Sequence, residues 1–564
     1  MKIKIYLFVS LFFLFNNTYS QCGASTACNT NTGIFSNNIA TDIAYDNMGS
    51  AFHSTFIKET NGVWKVWGEN LGNDGVLDVL NTQVFDAINY PILTGSIYKM
   101  AIGSDSIDDV QLIVLTSTGL FIVGDEGAVI SNNLTNSNAF QKLTIDGQIN
   151  GLPAGLLPED IKMMFASTGT LILTTCSGNV YVLSTNANMR GNGVTTADQW
   201  YKVLENATTP LTNVIVARGN GSSAFALKAD GTVWTWGFNT FLGNGTAPST
   251  RDYATQVTLP AGLTGVKMIQ TTLNNLIPSY YLLGNDKKVY ALGNNSYGHL
   301  GDNSITTRTS WVNAKNPNGT IINDAAWIST NEHDKNYPGL AVIKSSGLIY
   351  TAGYNSNYMI GRLLTSNPNF LGLPNGLVAS DVITFAEVGG HTCALIKQCD
   401  NRYGYVGHKI NGSMGNGVSV GATTQTYDFV TPPVINVCGT AYTVPIISVV
   451  GPTICLGQNA IFNVSGFAGQ TVTYSINNGS SQNIVLDANG TAVVTINNPT
   501  SAVTMTINQI GSSATCIFPV NITSTNNQNL IVTPNFAQVA SICIGSNLSA
   551  LPTTSINGIT GTWS

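Results

Sequence analysis

The sequence predicts an all-β protein in which a seven-bladed β-propeller is followed by a β-sandwich and by the truncated start of a further module. Three observations support this prediction. One hairpin pattern recurs along the chain, its copies are nearly evenly spaced with room for about four strands each, and the spacing is lost after Pro432-Pro433 although short strands continue.

The hairpin pattern is clearest near the middle of the chain. Ala224–Lys228 and Thr232–Trp236 both alternate apolar with small or polar residues, and Asp230-Gly231 lies between them. An Asp-Gly pair between two such runs favours a tight turn, because glycine accepts a positive φ without steric cost. Gly237 then ends the second run.

The copies of this hairpin end at a glycine, or once at a serine, and these positions lie 53 to 60 residues apart. They are Gly68, Gly124, Ser184, Gly237, Gly293, Gly353 and Gly407. An apolar strand precedes each of them: Ser54–Ile57, Gln111–Leu115, Thr170–Thr174, Ala224–Lys228, Tyr280–Leu283, Leu340–Ile343 and Cys393–Ile396. A small sheet cannot bury both faces alone, so the units are expected to stack as propeller blades.

Two of the repeats also resemble a known family. Trp236–Asn239 with Leu242–Gly245, and Leu292–Asn295 with Gly298–Gly301, are similar to the WG-x-N and LG-x-G signature of regulator of chromosome condensation repeats. The resemblance covers residues 34–435 and implies a seven-bladed propeller. The second, third and sixth copies are degenerate: Gly124 of the second lacks the following Asn, and Ser184 replaces the glycine of the third.

A closed ring removes free sheet edges. We therefore expect Tyr427–Val430 to share a blade with strands of the first repeat, near Ile39–Ile57.

The N-terminus predicts export. Lys2 and Lys4 precede an apolar core at Ile5–Phe15, and small residues follow, so Met1–Ser20 is expected to be a signal peptide cleaved before Gln21. Residues 21–33 then form an N-terminal segment. No stretch is long enough to span a bilayer, and the protein is expected to be secreted or at the cell surface.

The nine cysteines are interpreted as those of an exported protein. Cys22 and Cys28 are close enough to form a loop, and two of Cys393, Cys399 and Cys438 can pair. Cys176 lies in a predicted strand and is expected to be a buried apolar residue. The spacings do not resemble a zinc site, and no metal site is predicted.

Residues 440–526 have the pattern of a β-sandwich. The predicted strands are Ala460–Val464, Val472–Ile476, Thr491–Ile496, Val503–Ile507 and Cys516–Ile522. Cys455 and Cys516 are placed to bridge the sandwich, as in immunoglobulin-like domains. The domain lacks a central tryptophan, so it resembles the sandwich modules of bacterial surface proteins.

A short motif marks another module. Ile454–Gly457 recurs as Ile542–Gly545, and too few residues follow for a second sandwich, so 530–564 is expected to be the incomplete start of a further repeat. Leu551–Ser564 resembles repeats in large bacterial surface proteins that use the type IX secretion route.

Composition argues against nucleic acid as a partner. Charged residues are 9% of the chain and the net charge is −6, whereas phosphate-binding surfaces need clustered Lys and Arg.

No catalytic pattern stands out, and we expect no enzyme activity and no cofactor. His53 and His391 occupy the same place in two repeats, which favours a structural role. His299, His333 and His408 lie in loops and could touch a ligand. Acidic residues cluster at Asp105–Asp109 and at Glu69, Asp74 and Asp78, and neither cluster fits a calcium loop.

Surface loops on a rigid disc are then the expected site of function. The candidate ligand-binding residues are loop aromatics: Phe238, Phe241, Tyr297, Tyr354 and Tyr358. The leading hypothesis is a secreted or cell-surface protein that binds a protein or a glycan, with the sandwich modules as a stalk for adhesion. The alternatives are a propeller enzyme acting on extracellular polysaccharide and a secreted protein inhibitor.

Overall fold

The computed structural model describes residues 47–59, 62–105, 109–263, 265–363, 369–379, 381–397, 402–429, 446–451, 453–466, 471–513, 516–529 and 533–563. The predicted signal peptide, Cys22, Cys28, Cys399 and Cys438 lie outside these residues. The chain divides into two compact units, residues 1–442 and 443–564. In the described residues the helices are the short 3-10 turns Pro158–Asp160 and Ala187–Arg190, and none has the length and apolarity needed to cross a membrane.

The described residues of the first unit form seven antiparallel sheets, one for each repeat, as predicted; six have four strands and the sixth has three. The strands of the first four sheets are β1 (Met48–Ala51), β2 (Ser54–Lys58), β3 (Trp64–Gly68), β4 (Val79–Val84), β5 (Ile97–Ser104), β6 (Val110–Thr116), β7 (Gly119–Gly124), β8 (Gln141–Lys142), β9 (Ile161–Ser167), β10 (Thr170–Thr175), β11 (Val180–Ser184), β12 (Trp200–Lys202), β13 (Val214–Gly219), β14 (Ser223–Lys228), β15 (Val233–Thr240) and β16 (Ser249–Gln256). Those of the last three are β17 (Val266–Asn274), β18 (Ile277–Gly284), β19 (Val289–Gly293), β20 (Arg308–Asn313), β21 (Ala325–Thr330), β22 (Gly339–Lys344), β23 (Ile349–Gly353), β24 (Ile383–Gly389), β25 (Thr392–Lys397), β26 (Arg402–Gly407) and β27 (Thr424–Phe429).

The predicted hairpin forms at β14 and β15. Asp230 caps its turn: one carboxylate oxygen accepts the backbone N–H of Thr232 at 2.9 Å and the hydroxyl of Thr232 at 2.6 Å. The hydrogen bond from the Thr232 hydroxyl also holds the pKa of Asp230 below its usual value. Local sequence therefore determines this turn.

The first strand of every sheet lies next to the first strands of its neighbours. β1, β5, β9, β13, β17, β21 and β24 contact each other in this order, and β24 contacts β1 again. The seven sheets are thus blades around a common axis, and the ring is closed.

The predicted mode of closure is wrong. β27, which contains Tyr427, pairs with β26 of the seventh blade, and not with strands of the first repeat. The first blade already takes all four of its strands from residues 48–84, so Tyr427 has no place in that sheet.

A loop of the seventh repeat completes the closure instead. Asn416 forms an isolated bridge with Asn81 of the first blade, and the indole N–H of Trp67 donates to the carbonyl of Ser413 at 3.1 Å. Equivalent bridges join Asn192 to Tyr253 and Asn244 to Ser310. Each of these loops therefore fastens its blade to the next one.

The second unit contains two sheets, as predicted for a β-sandwich. Its strands are β28 (Ile446–Val449), β29 (Thr453–Ile454), β30 (Ala460–Ser465), β31 (Thr471–Ile476), β32 (Gln482–Val485), β33 (Thr491–Ile496), β34 (Val503–Ser513) and β35 (Cys516–Gln528). One sheet has the order β28-β30-β33 and the other β29-β35-β34-β31-β32. Phe462, Val472, Met505 and Ile507 are among the buried residues of this unit.

The predicted Cys455–Cys516 disulfide is not formed, and Cys455 is a free, exposed thiol. Ile454 pairs with Gln528 at one end of β35, whereas Cys516 begins this strand twelve residues earlier. At the rise of a β-strand the two cysteines are about 40 Å apart, far beyond the roughly 7 Å that a disulfide allows between Cα atoms.

Three other cysteines are described. Cys176 follows β10 and is exposed, not buried as predicted, and it is disulfide-bonded. Cys393 is free and buried, and Cys543 is free and exposed.

Candidate functional site

One face of the propeller collects most of the residues that the sequence singles out. In an antiparallel blade, the turn between the first two strands and the loop after the third strand leave from the same end. We call this end of the seven blades the loop face. His53 and His391 lie in first turns, and Tyr297, Tyr354 and His408 lie in loops after third strands.

Five rings on the loop face form a continuous chain of contacts across the fifth, sixth, seventh and first blades, which we call the aromatic arc. Its members, in order, are Tyr297, Tyr354, Tyr337, His391 and Phe52. Successive ring centroids lie 5.0, 5.0, 4.9 and 4.5 Å apart, with tilted or edge-to-face geometry. This spacing is typical of favourable aromatic pairs. Tyr297 is 37% exposed, and Tyr354 and Tyr337 are half-buried.

Two members of the arc have an unusual backbone. Phe52 has a φ of 50° and Tyr337 a φ of 59°, in the left-handed region that bulky side chains rarely adopt. Such conformations cost about 1 to 3 kcal/mol each and cluster at functional sites. The strain at two neighbouring aromatic residues supports the arc as a candidate site.

The other predicted aromatic residues do not join the arc. Phe238 and Tyr358 are half-buried, and no described ring contact links either of them to it. Phe241 is 1% exposed and packs in the hydrophobic core, so it cannot reach a ligand at the surface.

Three histidines, one of which is the arc member His391, converge where the first blade meets the seventh. His53, His391 and His408 each offer one ring nitrogen, and these nitrogens all lie within 4.8 Å of one another. Nε2 of His53 lies 3.2 Å from Nδ1 of His408. We call these three residues the histidine cluster.

The backbone of the two blades brings the histidines together. Gly389 and Gly390 have no side chains, and a Cβ on Gly389 would lie 2.3 Å from the carbonyl oxygen of Ser50. The seventh blade can therefore approach the first turn of the first blade. The backbone N–H of His408 also donates to the carbonyl of His391 at 3.2 Å, which fixes these two residues relative to each other.

Glu69 orients His53. Its Oε2 lies 2.7 Å from Nδ1 of His53, and its Oε1 accepts a hydrogen bond from the side-chain amide of Asn411 at 2.6 Å. Because a carboxylate only accepts, Nδ1 of His53 donates to Glu69, and in the neutral imidazole Nε2 of His53 accepts from Nδ1–H of His408. Glu69 is buried, so this contact is shielded from solvent.

A second polar cluster fills the centre of the ring. The segment 331–337 between β21 and β22 crosses the axis, and we call it the hub segment. The backbone N–H of Ser104 donates to the carbonyl of His333 at 3.0 Å, Nδ1 of His333 lies 3.1 Å from the carbonyl of Ala166, and its Nε2 lies 3.0 Å from Glu387. The hub segment thus joins the second, third and seventh blades.

Three ionisable residues of the hub segment, Glu332, His333 and Asp334, are buried. Glu332 forms an ion pair with Arg218 of the fourth blade, and their side chains are 0% and 5% exposed. Burial raises the pKa of Asp334 to about 7. Hydrogen bonds from Asn331 and the backbone of Asn336 act in the opposite direction, but their effect is smaller. Burial disfavours the charged form of His333, but the hydrogen bond to Glu387 and the charges of Glu387 and Glu332 hold its pKa above the usual value.

The alternative hypothesis, an enzyme acting on extracellular polysaccharide, requires accessible acidic residues at the centre of the ring. Glu332, Asp334 and Glu387 are all buried and held by contacts within the fold. Within the described residues the hub therefore offers no accessible pair of carboxyl groups for glycoside hydrolysis.

The remaining predicted polar candidates have structural contacts. His299 is buried beside the hydroxyl of Ser279 at 3.0 Å, and burial lowers its pKa to about 3. Asp74 accepts the backbone N–H groups of Val76 and Leu77, and Asp78 accepts that of Asn70.

No protein-family model and no curated protein matches the chain. Solved structures match it in fold. Prp20p from Saccharomyces cerevisiae has a TM-score of 0.50 and 12% identity, over 70% of this chain and 88% of that one. Human WBSCR16 has a TM-score of 0.48 and 14% identity, over 65% of this chain and 94% of that one. The propeller is similar in fold to RCC1-like propellers.

Sequence reasoning missed Phe52 and Tyr337. It named Glu69 and His333, but not the contact of Glu69 with His53 or the position of His333 at the centre of the ring. A signal for the histidine cluster was present, because His53 and His391 occupy the same turn in the first and last repeats. A closed ring makes those two repeats neighbours.

Proposed function

We propose that the protein is a secreted or cell-surface binding protein, and that its aromatic arc engages a protein or a glycan without catalysis. The observation that carries the proposal is the arc itself, a run of contacting rings with an exposed end at Tyr297. Tyrosine offers a large contact area at low entropic cost and a hydroxyl for hydrogen bonding, which suits both protein and sugar ligands.

Export and surface display are part of the proposal. The apolar N-terminal segment supports export. The disulfide at Cys176 also supports it, because disulfides persist in oxidising compartments. We assign the β-sandwich unit the role of a stalk for adhesion, and we propose that the protein is secreted by the type IX route.

Protein binding has a precedent in the same fold. Prp20p from Saccharomyces cerevisiae was described together with its binding to Gsp1p and histones. At 12% identity the likeness concerns fold and transfers no partner, so the ligand of this chain has to be identified by experiment.

The test uses the full chain after removal of the signal peptide. We expect it to bind a member of a glycan array or of a panel of extracellular proteins. A double variant, Tyr297→Ser with Tyr354→Ser, is expected to weaken that binding at least about tenfold, as losing two contact residues typically does. Affinity is measured by surface plasmon resonance.

Tyr350→Ser is the matched control. Tyr350 lies at the opposite end of β23 from Tyr354 and is also half-buried, so its loss tests for a general effect on the sixth blade. Equal binding by the wild type and the double variant would place the ligand elsewhere. Turnover of a bound polysaccharide would contradict the non-catalytic role.

A further inference from the structure

The histidine cluster has the composition and geometry of a metal site. We infer that His53, His391 and His408 bind one divalent transition-metal ion of the zinc class, with Glu69 as the residue that positions His53. The inference goes beyond the proposed function and does not rest on it, because metal binding is measured without a protein or glycan ligand.

The donor set determines the class of metal. Imidazole nitrogen is a preferred ligand of zinc, copper and nickel, whereas calcium and magnesium prefer oxygen. Three histidines with a remaining position for water are a known arrangement for zinc. His391 and His408 are half-buried, so the cluster is accessible from the loop face.

The distances are close to those of a tetrahedral site. With zinc–nitrogen bonds of 2.0 to 2.1 Å, two ligand nitrogens lie about 3.3 Å apart. Nε2 of His53 and Nδ1 of His408 are already 3.2 Å apart. No two of these nitrogens are more than 4.8 Å apart, so a side-chain movement of about 1.5 Å brings them to the spacing of a tetrahedral site.

Glu69 supplies the outer contact that zinc-binding histidines usually have. A ligating histidine almost always donates its other ring N–H to a carboxylate or a carbonyl, which fixes the tautomer and strengthens the ligand. Nδ1 of His53 donates to Glu69 at 2.7 Å, and Asn411 in turn holds Glu69 at 2.6 Å. In the metal-free protein the lone pair on Nε2 of His53 then accepts from Nδ1–H of His408 at 3.2 Å, and a bound metal ion would displace this proton from His408.

The site would also join the two ends of the ring. His53 belongs to the first blade, and His391 and His408 belong to the seventh. Since metal would bind the closed ring and not the unfolded chain, bound zinc is expected to raise the thermal midpoint of the propeller.

The experiment titrates Zn²⁺ into the tag-free, chelator-treated full chain by isothermal calorimetry, and Co²⁺ followed by visible absorption is a spectroscopic probe. We expect one equivalent of each metal to bind. His391→Ala and His408→Ala are each expected to weaken Zn²⁺ binding by about 100-fold or more, because each removes one of three ligands. Lys409→Ala is the matched control, adjacent to His408 in the same loop, and is expected to bind like the wild type.

Glu69→Gln separates positioning from folding. It keeps all three ligands, so stoichiometry and the Co²⁺ absorption band are expected to persist while affinity falls about 10- to 100-fold. A Glu69 with a merely structural role would leave affinity unchanged in the folded variant.

Two results overturn the inference: wild-type protein without saturable binding of one metal equivalent, or alanine variants that bind as tightly as the wild type. If an alanine variant does not fold, His408→Gln replaces it, and the Co²⁺ spectrum of the wild type still tests for nitrogen ligands. The double variant of Tyr297 and Tyr354 distinguishes this site from the proposed function: we expect it to lose ligand binding and to keep Zn²⁺ binding.

Discussion

At the scale of single residues, the repeated glycine at the end of the third strand has a steric cause. Gly237 has a φ of 113°, and a Cβ there would lie 2.5 Å from the Cα of Ser223 and 2.6 Å from the carbonyl oxygen of Ser222. Gly68, Gly293 and Gly407 have similar φ values and equally close backbone neighbours. At these four glycines the backbone requires both a positive φ and the absence of a side chain, whereas Ser184 occupies the position in the third blade without a positive φ.

Gly237→Ala is therefore expected to destabilise the propeller by about 3 kcal/mol or more, since backbone strain and steric overlap add. Gly231→Ala is the control. Gly231 also has a positive φ, of 83°, but nothing lies within 4 Å of its Cβ position, so its cost should be about 1 to 2 kcal/mol. Urea unfolding monitored by tryptophan fluorescence compares the two, and equal effects would contradict the steric argument.

Asp334 makes stability depend on pH. Its pKa is raised to about 7 in the fold, so the folded protein binds this proton more tightly than the unfolded chain does. The contribution of Asp334 to folding stability is fully present below the unfolded pKa of about 4 and is lost as the pH rises through about 7. The raised pKa values of neighbouring His333 and Glu332 act in the same direction.

We expect the thermal midpoint of the wild type to be higher near about pH 5 than near about pH 8, and Asp334→Asn to reduce that difference. Asp105→Asn, at the exposed end of the same network, is the control and should retain the difference. Thermal unfolding followed by circular dichroism at both pH values measures this difference in midpoint. A midpoint that rises with pH in the wild type would show the opposite linkage.

At the scale of elements, the hub segment differs from the hairpins around it. Its residues contact blades that are distant in sequence, and its stability depends on buried pairs. Ion pairs of this kind are costly to break, because the remaining charge stays buried without a partner.

Glu332→Gln is expected to cost about 3 to 5 kcal/mol, because it leaves the Arg218 guanidinium buried and uncompensated. Lys335→Ala is the control within the same segment. Lys335 and its partner Asp105 are 41% and 38% exposed, so its removal should cost less than about 1 kcal/mol. Similar unfolding free energies for the two variants would rule out the hub segment as a central brace.

At the scale of the whole molecule, ring closure rests on the contact between the first and last blades. Trp67 is fully buried, packs edge-to-face against Tyr403 at 5.1 Å, and donates to Ser413. Trp236 is also fully buried and links two interior blades through a 2.7 Å hydrogen bond from its indole N–H to the carbonyl of Met189.

Trp67→Ala and Trp236→Ala are each expected to cost about 3 to 5 kcal/mol, as large cavities in a core do. The two variants should destabilise different parts of the ring. Hydrogen exchange is expected to increase in the first and seventh blades for Trp67→Ala, and in the third and fourth blades for Trp236→Ala. An identical exchange pattern in both variants would contradict closure through Trp67.

The sequence by itself determined the number of blades and the hairpin inside each blade, whereas the sixth blade has three described strands and not the four expected. The hairpin contacts join residues close in the chain, so alternation, the Asp230-Gly231 turn and the spaced glycines are enough to predict them. The same holds for most strands of the sandwich, such as β30 and β33.

Only the tertiary structure decided what meets across the ring. His53 and His408 are 355 residues apart, the hub segment has no periodic pattern, and Phe241 is buried although its loop predicts exposure. The register that separates Cys455 from Cys516 likewise depends on a pairing between strands distant in sequence. Such contacts depend on how blades and strands pack in three dimensions, and that packing leaves no local signal in the chain.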